Sequence, residues 1–337
     1  MHILDAINTK KEKKIFFCHT MYHIFVALSI ILANCSYQAC TIVVAPMRHP
    51  KDNIEFYIDI VNRIKQAGIN TVLIDKGGFC KRLFGISEIK NRRIFRTVLQ
   101  DLDCQQNEYL MINMSWNKQV VVYPASIFFK HCKNAIFVEE GAQLWLTPKE
   151  NVLYTLCLGL YGNQLNWWKS NKIEYVFAHS KEKLIELGVP KSKAQIFSLQ
   201  QIIQTYDDLK KKYLCSFFVN EVVLKKLMEC NDSRKCIVYT QPISEDGYVS
   251  EKEKVRLYSE ICNFYSRYGN VFLKVHPRDV TDYSIENVIV IRDRFPSEIF
   301  KILEIHFFIA VGLCTSAIDE TIANHRKNIA PTYLSDR

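Results

Sequence analysis

Short apolar runs alternate with amphipathic stretches along most of this chain. "KIFFC" (14–18) predicts a strand, and residues 21–34 a helix after it. "CTIVVAP" (40–46) predicts the next strand, and "NIEFYIDIVNRIKQAG" (53–68) has helical spacing that stops at Gly68. "NTVLIDK" (70–76), "EYLMIN" (108–113), "NAIFVEEG" (134–141) and "IEYVFAHS" (173–180) continue the strand series. Apolar runs of this length, each followed by a helix, predict parallel sheets with helices on both faces.

The texture changes near residue 200. "QQIIQTYDDLKKKYL" (200–214) predicts a polar bridging helix, and then a second alternating set begins. Strands are expected at "KCIVYTQP" (235–242), "NVFLKVHP" (270–277), "VIVIRD" (288–293) and "HFFIAVGL" (306–313). Helices are expected at 250–269, at 296–305 and from Thr315 to His325. The organisation is therefore α/β: an N-terminal Rossmann-like domain over 1–200, a helical linker over 201–234 and a C-terminal Rossmann-like domain over 235–337. Two doubly wound domains facing a central cleft make the GT-B-like arrangement. Ligands of such sheets bind at the carboxyl ends of the strands.

Bulk numbers narrow the class. The 337 residues are 48% hydrophobic and 23% charged, as in an ordinary folded protein of about two domains. Lys and Arg number 44 against 35 Asp and Glu, a net charge of +9. That excess suits phosphate, carboxylate or an anionic membrane surface, and equally well solvated helix faces. No basic-aromatic stripe of the kind nucleic acid requires is present, so no nucleic-acid partner is expected. The 12 cysteines form no CxxC pair and no zinc spacing, which implies free thiols in a reducing, cytoplasmic setting. The unbroken apolar segment "IFVALSIILA" near the N-terminus is too short to span a bilayer.

The polar residues at the strand ends are the candidates for chemistry. Thr20 and Tyr22 follow the first strand, and Glu139, Glu140 and Gly141 close the "VEEG" strand. Adjacent strand residues point to opposite faces, so only one of the two glutamates is expected to face the ligand side. Gln241 leads into "PISEDG", where Asp246 suits either an Asp-Gly turn or a base acting on a hydroxyl. Lys274 and His276 end "LKVHP". Pro277 keeps the backbone at His276 extended, and the imidazole suits either a core position or proton transfer near neutrality. Glu298 opens a helix and suits either a first-turn position or acceptance of sugar hydroxyls. Thr315 and Ser316 open another expected helix, as a cap or as a phosphate site.

Taken together, "VEEG", "KVHP" and the Thr-Ser pair of "LCTSA" resemble the acidic-acidic-Gly, His-Pro and Ser-Ser/Thr motifs of bacterial sialyltransferases, in order and in rough spacing. "FPSEIF" resembles the segment of those enzymes whose glutamate binds the cytidine ribose, and "FFCHTMYHIFVAL" and "YTQPISEDG" resemble glycosyltransferase family 52, the lipooligosaccharide and capsule sialyltransferases, the whole resemblance running over about residues 14–325. The resemblance implies a GT-B-like fold, an inverting transfer of sialic acid from CMP-sialic acid to a terminal galactose, often at position 3, and no metal or other cofactor. It makes Asp246 the general base and His276 the acid or hydrogen-bond donor on the departing phosphate. Thr315 and Ser316 would hold that phosphate, and Glu298 the ribose. Glu140 and Gly141 would line the sialic acid and acceptor side, with Glu140 the rival base. Glu139, Gln241, Lys274, Pro277, Thr20 and Tyr22 complete the expected binding set. Two glutamates where the family also uses Asp leave the base assignment open between Asp246 and Glu140.

The expected partners are CMP-sialic acid and a galactose-terminated glycan, with peripheral contact to the inner membrane face and a homodimer as further possibilities. Two other readings remain at this level: a GT-B glycosyltransferase using another nucleotide sugar, and a non-catalytic saccharide-binding protein that stacks sugars on Trp167 and Trp168.

Overall fold

The computed structural model describes residues 1–34, 37–46, 54–74, 95–114, 116, 120–121, 125–139, 164–165, 167–230, 234–313 and 315–329. The chain divides into two compact units between Tyr206 and Asp207. The stretch around this division is helical in pieces: Leu199–Ile203, Asp208–Ser216 and Glu221–Glu229.

The first unit is built on a seven-stranded parallel sheet. Its strands are β1 (Lys13–Cys18), β2 (Cys40–Val44), β3 (Asn70–Leu73), β4 (Tyr109–Asn113), β6 (Asn134–Val138), β8 (Ile173–Ala178) and β9 (Ala194–Ile196), in the order β3-β2-β1-β4-β6-β8-β9. β5 (Val120–Val121) and β7 (Gln164–Leu165) form a separate antiparallel pair. β1, β2 and β4 are buried on both faces, which is why they read as continuous apolar runs instead of alternating ones. An aromatic cluster of Trp116, Phe137 and Trp167 lies under the sheet. Trp167 is therefore a core residue and not a sugar platform.

The second unit repeats the plan with five parallel strands: β10 (Lys235–Tyr239), β11 (Asn270–Lys274), β12 (Val288–Ile291), β13 (His306–Leu313) and β14 (Ile322–Ile329), ordered β12-β11-β10-β13-β14. The helix Glu251–Tyr265 begins at a capping box of Ser250 and Glu253. Gly269 then lets the chain pass against Arg234, whose carbonyl oxygen would lie 2.0 Å from an added Cβ.

One expected element is overturned. Residues after Thr315 do not form a helix: Ser316–Ile318 is a single 3-10 turn, and Ile322–Ile329 is a parallel edge strand beside β13. The apolar spacing of "TSAIDETIANH" suits either element at this length, and pairing along the whole of β13 decided for the strand.

Both sheets reverse their strand order once, between β1 and β4 in the first and between β10 and β13 in the second. Ligands of open α/β sheets bind at the carboxyl ends of the strands flanking such reversals. Those ends carry His19 and Thr20 in the first unit, and Thr240, Gln241 and Thr315 in the second. β11, with His276 just beyond it, lies beside β10.

Candidate active site

The second unit brings "SEDG" and "HPRD" together. The His276 N–H donates to Thr240 Oγ1 at 2.9 Å, which pins the exit of β11 to the exit of β10. The Arg278 N–H donates to His276 Nδ1 at 3.0 Å, so the ring carries its own proton on Nε2. The Arg278 guanidinium donates to Asp246 Oδ2 at 2.8 Å. Arg278 thus touches both principal candidates, the imidazole through its backbone and the carboxylate through its side chain.

Burial pushes the His276 imidazole down to about 4, assisted by the positive charges of Arg278 and Lys274 and opposed by Asp246. At neutral pH the ring is a neutral Nε2–H donor. The Asp246–Arg278 pair is partly solvated, with side chains 29% and 40% exposed. Pairs of this kind contribute only about 0.2–1 kcal/mol, so Asp246 can exchange Arg278 for a hydroxyl at small cost.

Beneath these loops lies a cluster of charges closed off from water. The Lys254 Nζ donates to Glu245 Oε2 and lies beside Asp279 Oδ1, each at 2.7 Å, with the three side chains at most 2% exposed. Asp279 Oδ2 accepts from Thr240 Oγ1 at 2.5 Å and from Tyr283 OH at 2.8 Å, and Oδ1 accepts from the Thr281 N–H. Burial alone would raise the Glu245 carboxyl. Lys254 and the Val280 N–H outweigh it and hold the group down at about 2.

Lys274 is buried. Its Nζ donates to the Asp293 carbonyl at 2.6 Å and lies 4.2 Å from the centre of the Phe295 ring. Burial lowers its ammonium to about 7, against the attraction of Asp293. Glu298 opens the short helix Glu298–Ile302 and acts electrostatically on Tyr239, whose hydroxyl bonds Thr321 Oγ1 at 2.5 Å. Thr315 Oγ1 accepts from the Ala317 N–H and so caps the 3-10 turn. Gly312 allows this turn to close on β13, because an added Cβ would meet Thr315 Cγ2 at 2.3 Å. Ser316 lies in the same turn. A phosphate site here would therefore use a tight turn and not the end of a helix. The Gln241 N–H donates to Tyr258 OH at 2.7 Å, and Pro277 is half-buried between His276 and Arg278.

In the first unit, Glu139 is buried at the end of β6. Its Oε2 accepts from the His179 N–H at 2.5 Å and bonds His179 Nδ1 at 2.8 Å. Glu139 therefore holds an imidazole in place, and Glu140 and Gly141 lie outside the described residues. Thr20 Oγ1 accepts from the His23 N–H as the cap of the helix Met21–Asn34, and Tyr22 is half-buried on the first turn. His19 and His23 are core residues: the His19 N–H donates to His23 Nδ1, and burial pushes the His23 imidazole down to about 3.

Reading strand ends passed over Lys254, Asp279, Thr240 and His179. Lys254 had a signal: it shares the helix stripe Lys254, Tyr258, Ile261, Cys262, which is buried. A lysine at an apolar-face position predicts a buried acid opposite it.

Residues 210–329 match the family model of Glycosyltransferase family 52. An uncharacterized protein of Haemophilus influenzae is 41% identical over 83 residues, which is 24% of this chain and 27% of that protein. This chain thus aligns with only about a quarter of that relative's length. In fold, the chain is similar to the GT-B domain of a Photobacterium damselae sialyltransferase, with TM-score 0.54 and 11% identity, covering 92% of this chain and 89% of that one. It is also similar to an alpha/beta-galactoside alpha-2,3-sialyltransferase of Photobacterium phosphoreum, with TM-score 0.52 and 11% identity, covering 96% and 92%. A UDP-GlcNAc 2-epimerase of Neisseria meningitidis has the same fold at TM-score 0.50 and 11% identity, covering 91% and 79%. At such identities the likeness is one of fold. The resemblance first visible in the motifs therefore stands as a likeness: the chain has a GT-B-like fold, and its residues 210–329 match the model of glycosyltransferase family 52.

Proposed function

We propose that the protein is an inverting sialyltransferase that moves sialic acid from CMP-sialic acid to a terminal galactose, at position 3, without a metal. The observation that carries this reading is the extent of the family-52 match: residues 210–329 contain Asp246, His276, Glu298 and Thr315, the residues that the motif resemblance makes the base on the acceptor and the contacts to the donor. Departure of sialic acid leaves charge on the CMP phosphate, and a preorganised Nε2–H of His276 is a donor for that charge. An anion beside the ring also restores part of the proton affinity that burial removes. Asp246, released from Arg278, removes the proton of the attacking hydroxyl. The freed guanidinium then stays beside the reacting groups as a fixed positive charge. The net charge of +9 supports peripheral attachment to the cytoplasmic face of an anionic membrane. Among the described residues no helix is long and apolar enough to cross a membrane.

A donor screen tests the proposal. Purified protein with a lactose-type acceptor is expected to transfer from CMP-sialic acid and not from UDP-glucose or UDP-galactose. Transfer from a UDP-sugar alone would support the second reading, which the likeness to a UDP-GlcNAc-binding fold keeps open.

A further inference from the structure

The loops bearing Asp246 and His276 come from different strands, 30 residues apart in sequence, and have to keep a fixed spacing for an acid and a base to act on one substrate. Hydrogen bonds at the surface are not enough for this, since the Asp246–Arg278 pair opens easily. The rigid connection lies below. Glu245 immediately precedes Asp246, Asp279 follows His276 by three residues, and both carboxylates lie 2.7 Å from one ammonium. Asp279 also holds Thr240, which receives the His276 N–H.

We propose that Lys254 is a positioning residue of this site: its ammonium locks the Asp246 loop to the His276 loop by bridging Glu245 and Asp279. This extends the reading of Asp246 and His276 as the reacting pair and rests on it. Lys254 touches no substrate. Its helix, Glu251–Tyr265, is a rigid element packed on the β10 and β11 core, so it holds the two loops to one frame. The cation also prevents two closely opposed carboxylates from repelling each other. Without it they would share a proton at neutral pH and separate when both ionise. The charged groups acting on the His276 side are Arg278, Lys274, Asp246 and Lys254 itself. Tyr283 bonds Asp279, and its ring lies 6.0 Å from the Lys254 nitrogen.

The test compares Lys254→Met, which keeps most of the side-chain volume, with Glu245→Gln and with the double variant Lys254→Met/Glu245→Gln. Lys254→Met should lower kcat by about 10²-fold, the cost of a misplacement near 1 Å, with the donor KM little changed. Its remaining activity should fall as pH rises from 6 to 9, as the shared proton is lost, and the double variant should lose that fall because only one carboxylate is left to ionise, while staying slow because the bridge is gone. A loss in Lys254→Met that is the same at every pH would show a merely structural role and overturn the proposal. Glu245→Gln keeps Lys254 and Asp279 balanced, so it should fold and still lose kcat without KM; wild-type kcat there also overturns it. An imidazole NMR titration of His276, assigned with His276→Gln, does not depend on any transferase activity. Its midpoint should rise from about 4 in Lys254→Met, since a positive neighbour and a rigid burial are both lost. An unchanged midpoint sinks the proposal even if CMP-sialic acid proves to be the wrong donor, whereas a shifted midpoint with no transfer would fault only the sialyltransferase reading.

Discussion

Both units bury a carboxylate in the segment that follows a strand, and they balance it differently. Glu139 in the first unit faces His179, whose side chain is 57% exposed. Asp279 in the second unit faces Lys254, which is fully buried. A half-solvated partner can turn to water when its carboxylate is removed, but a buried ammonium or carboxylate cannot. The first arrangement therefore behaves as a local clamp on one imidazole, and the second as a structural keystone shared by two loops.

Removing one partner from each cluster gives the largest expected effect. Lys254→Ala leaves two buried carboxylates without a cation and should cost about 3–5 kcal/mol in urea denaturation of the second unit. Glu139→Gln retains an acceptor and should cost about 1–3 kcal/mol. Equal losses would erase the distinction between keystone and clamp. Next in size, Asp246→Ala and His276→Ala should each lower transfer by about 10²-fold or more, the range for acid–base groups. If Glu139→Gln lowers transfer as far as either, the chemistry is not confined to the second unit.

A smaller effect concerns acid stability. Glu245 has its folded value depressed from 4.5 to about 2. Its contribution is fully present above 4.5 and is lost as pH falls through the window down to about 2. Thermal scans across that window should show a shallower decline for Glu245→Gln than for the wild type. Parallel curves would mean that Lys254 does not act on Glu245 as the geometry implies.

The smallest expected change is a gain. Lys274, lowered from 10.5 to about 7 by burial, binds its proton less well in the folded chain, so folded stability rises with pH between those values. Lys274→Met should raise Tm by about 2–4 °C near pH 7, with the advantage shrinking towards pH 10. A loss of stability instead would show that the Phe295 and Asp293 contacts outweigh the desolvation of the ammonium.

The alternation of apolar runs and amphipathic stretches was enough to read two parallel sheets, because doubly covered strands must be apolar on both faces. β13 was legible to the residue, as the apolar run "HFFIAVGL". The segment after Thr315 was misread because a short, mildly apolar stretch fits helix or strand, and only its pairing with β13 chose.

His276 and Asp246 were legible as candidates for a local reason: a strand end, a proline and a turn mark them in the linear sequence. What sequence alone determined was which residue types stand at the ends of the strands. Only the tertiary structure decided which of them meet. Arg278, which bonds His276, reaches Asp246 across 32 residues, Thr240 joins Asp279 across 39, and Lys254 turns a helix stripe into the tie between two loops. Those contacts depend on strand order and on charges that become strong only when water is excluded, and neither property is written in the neighbours of any one residue.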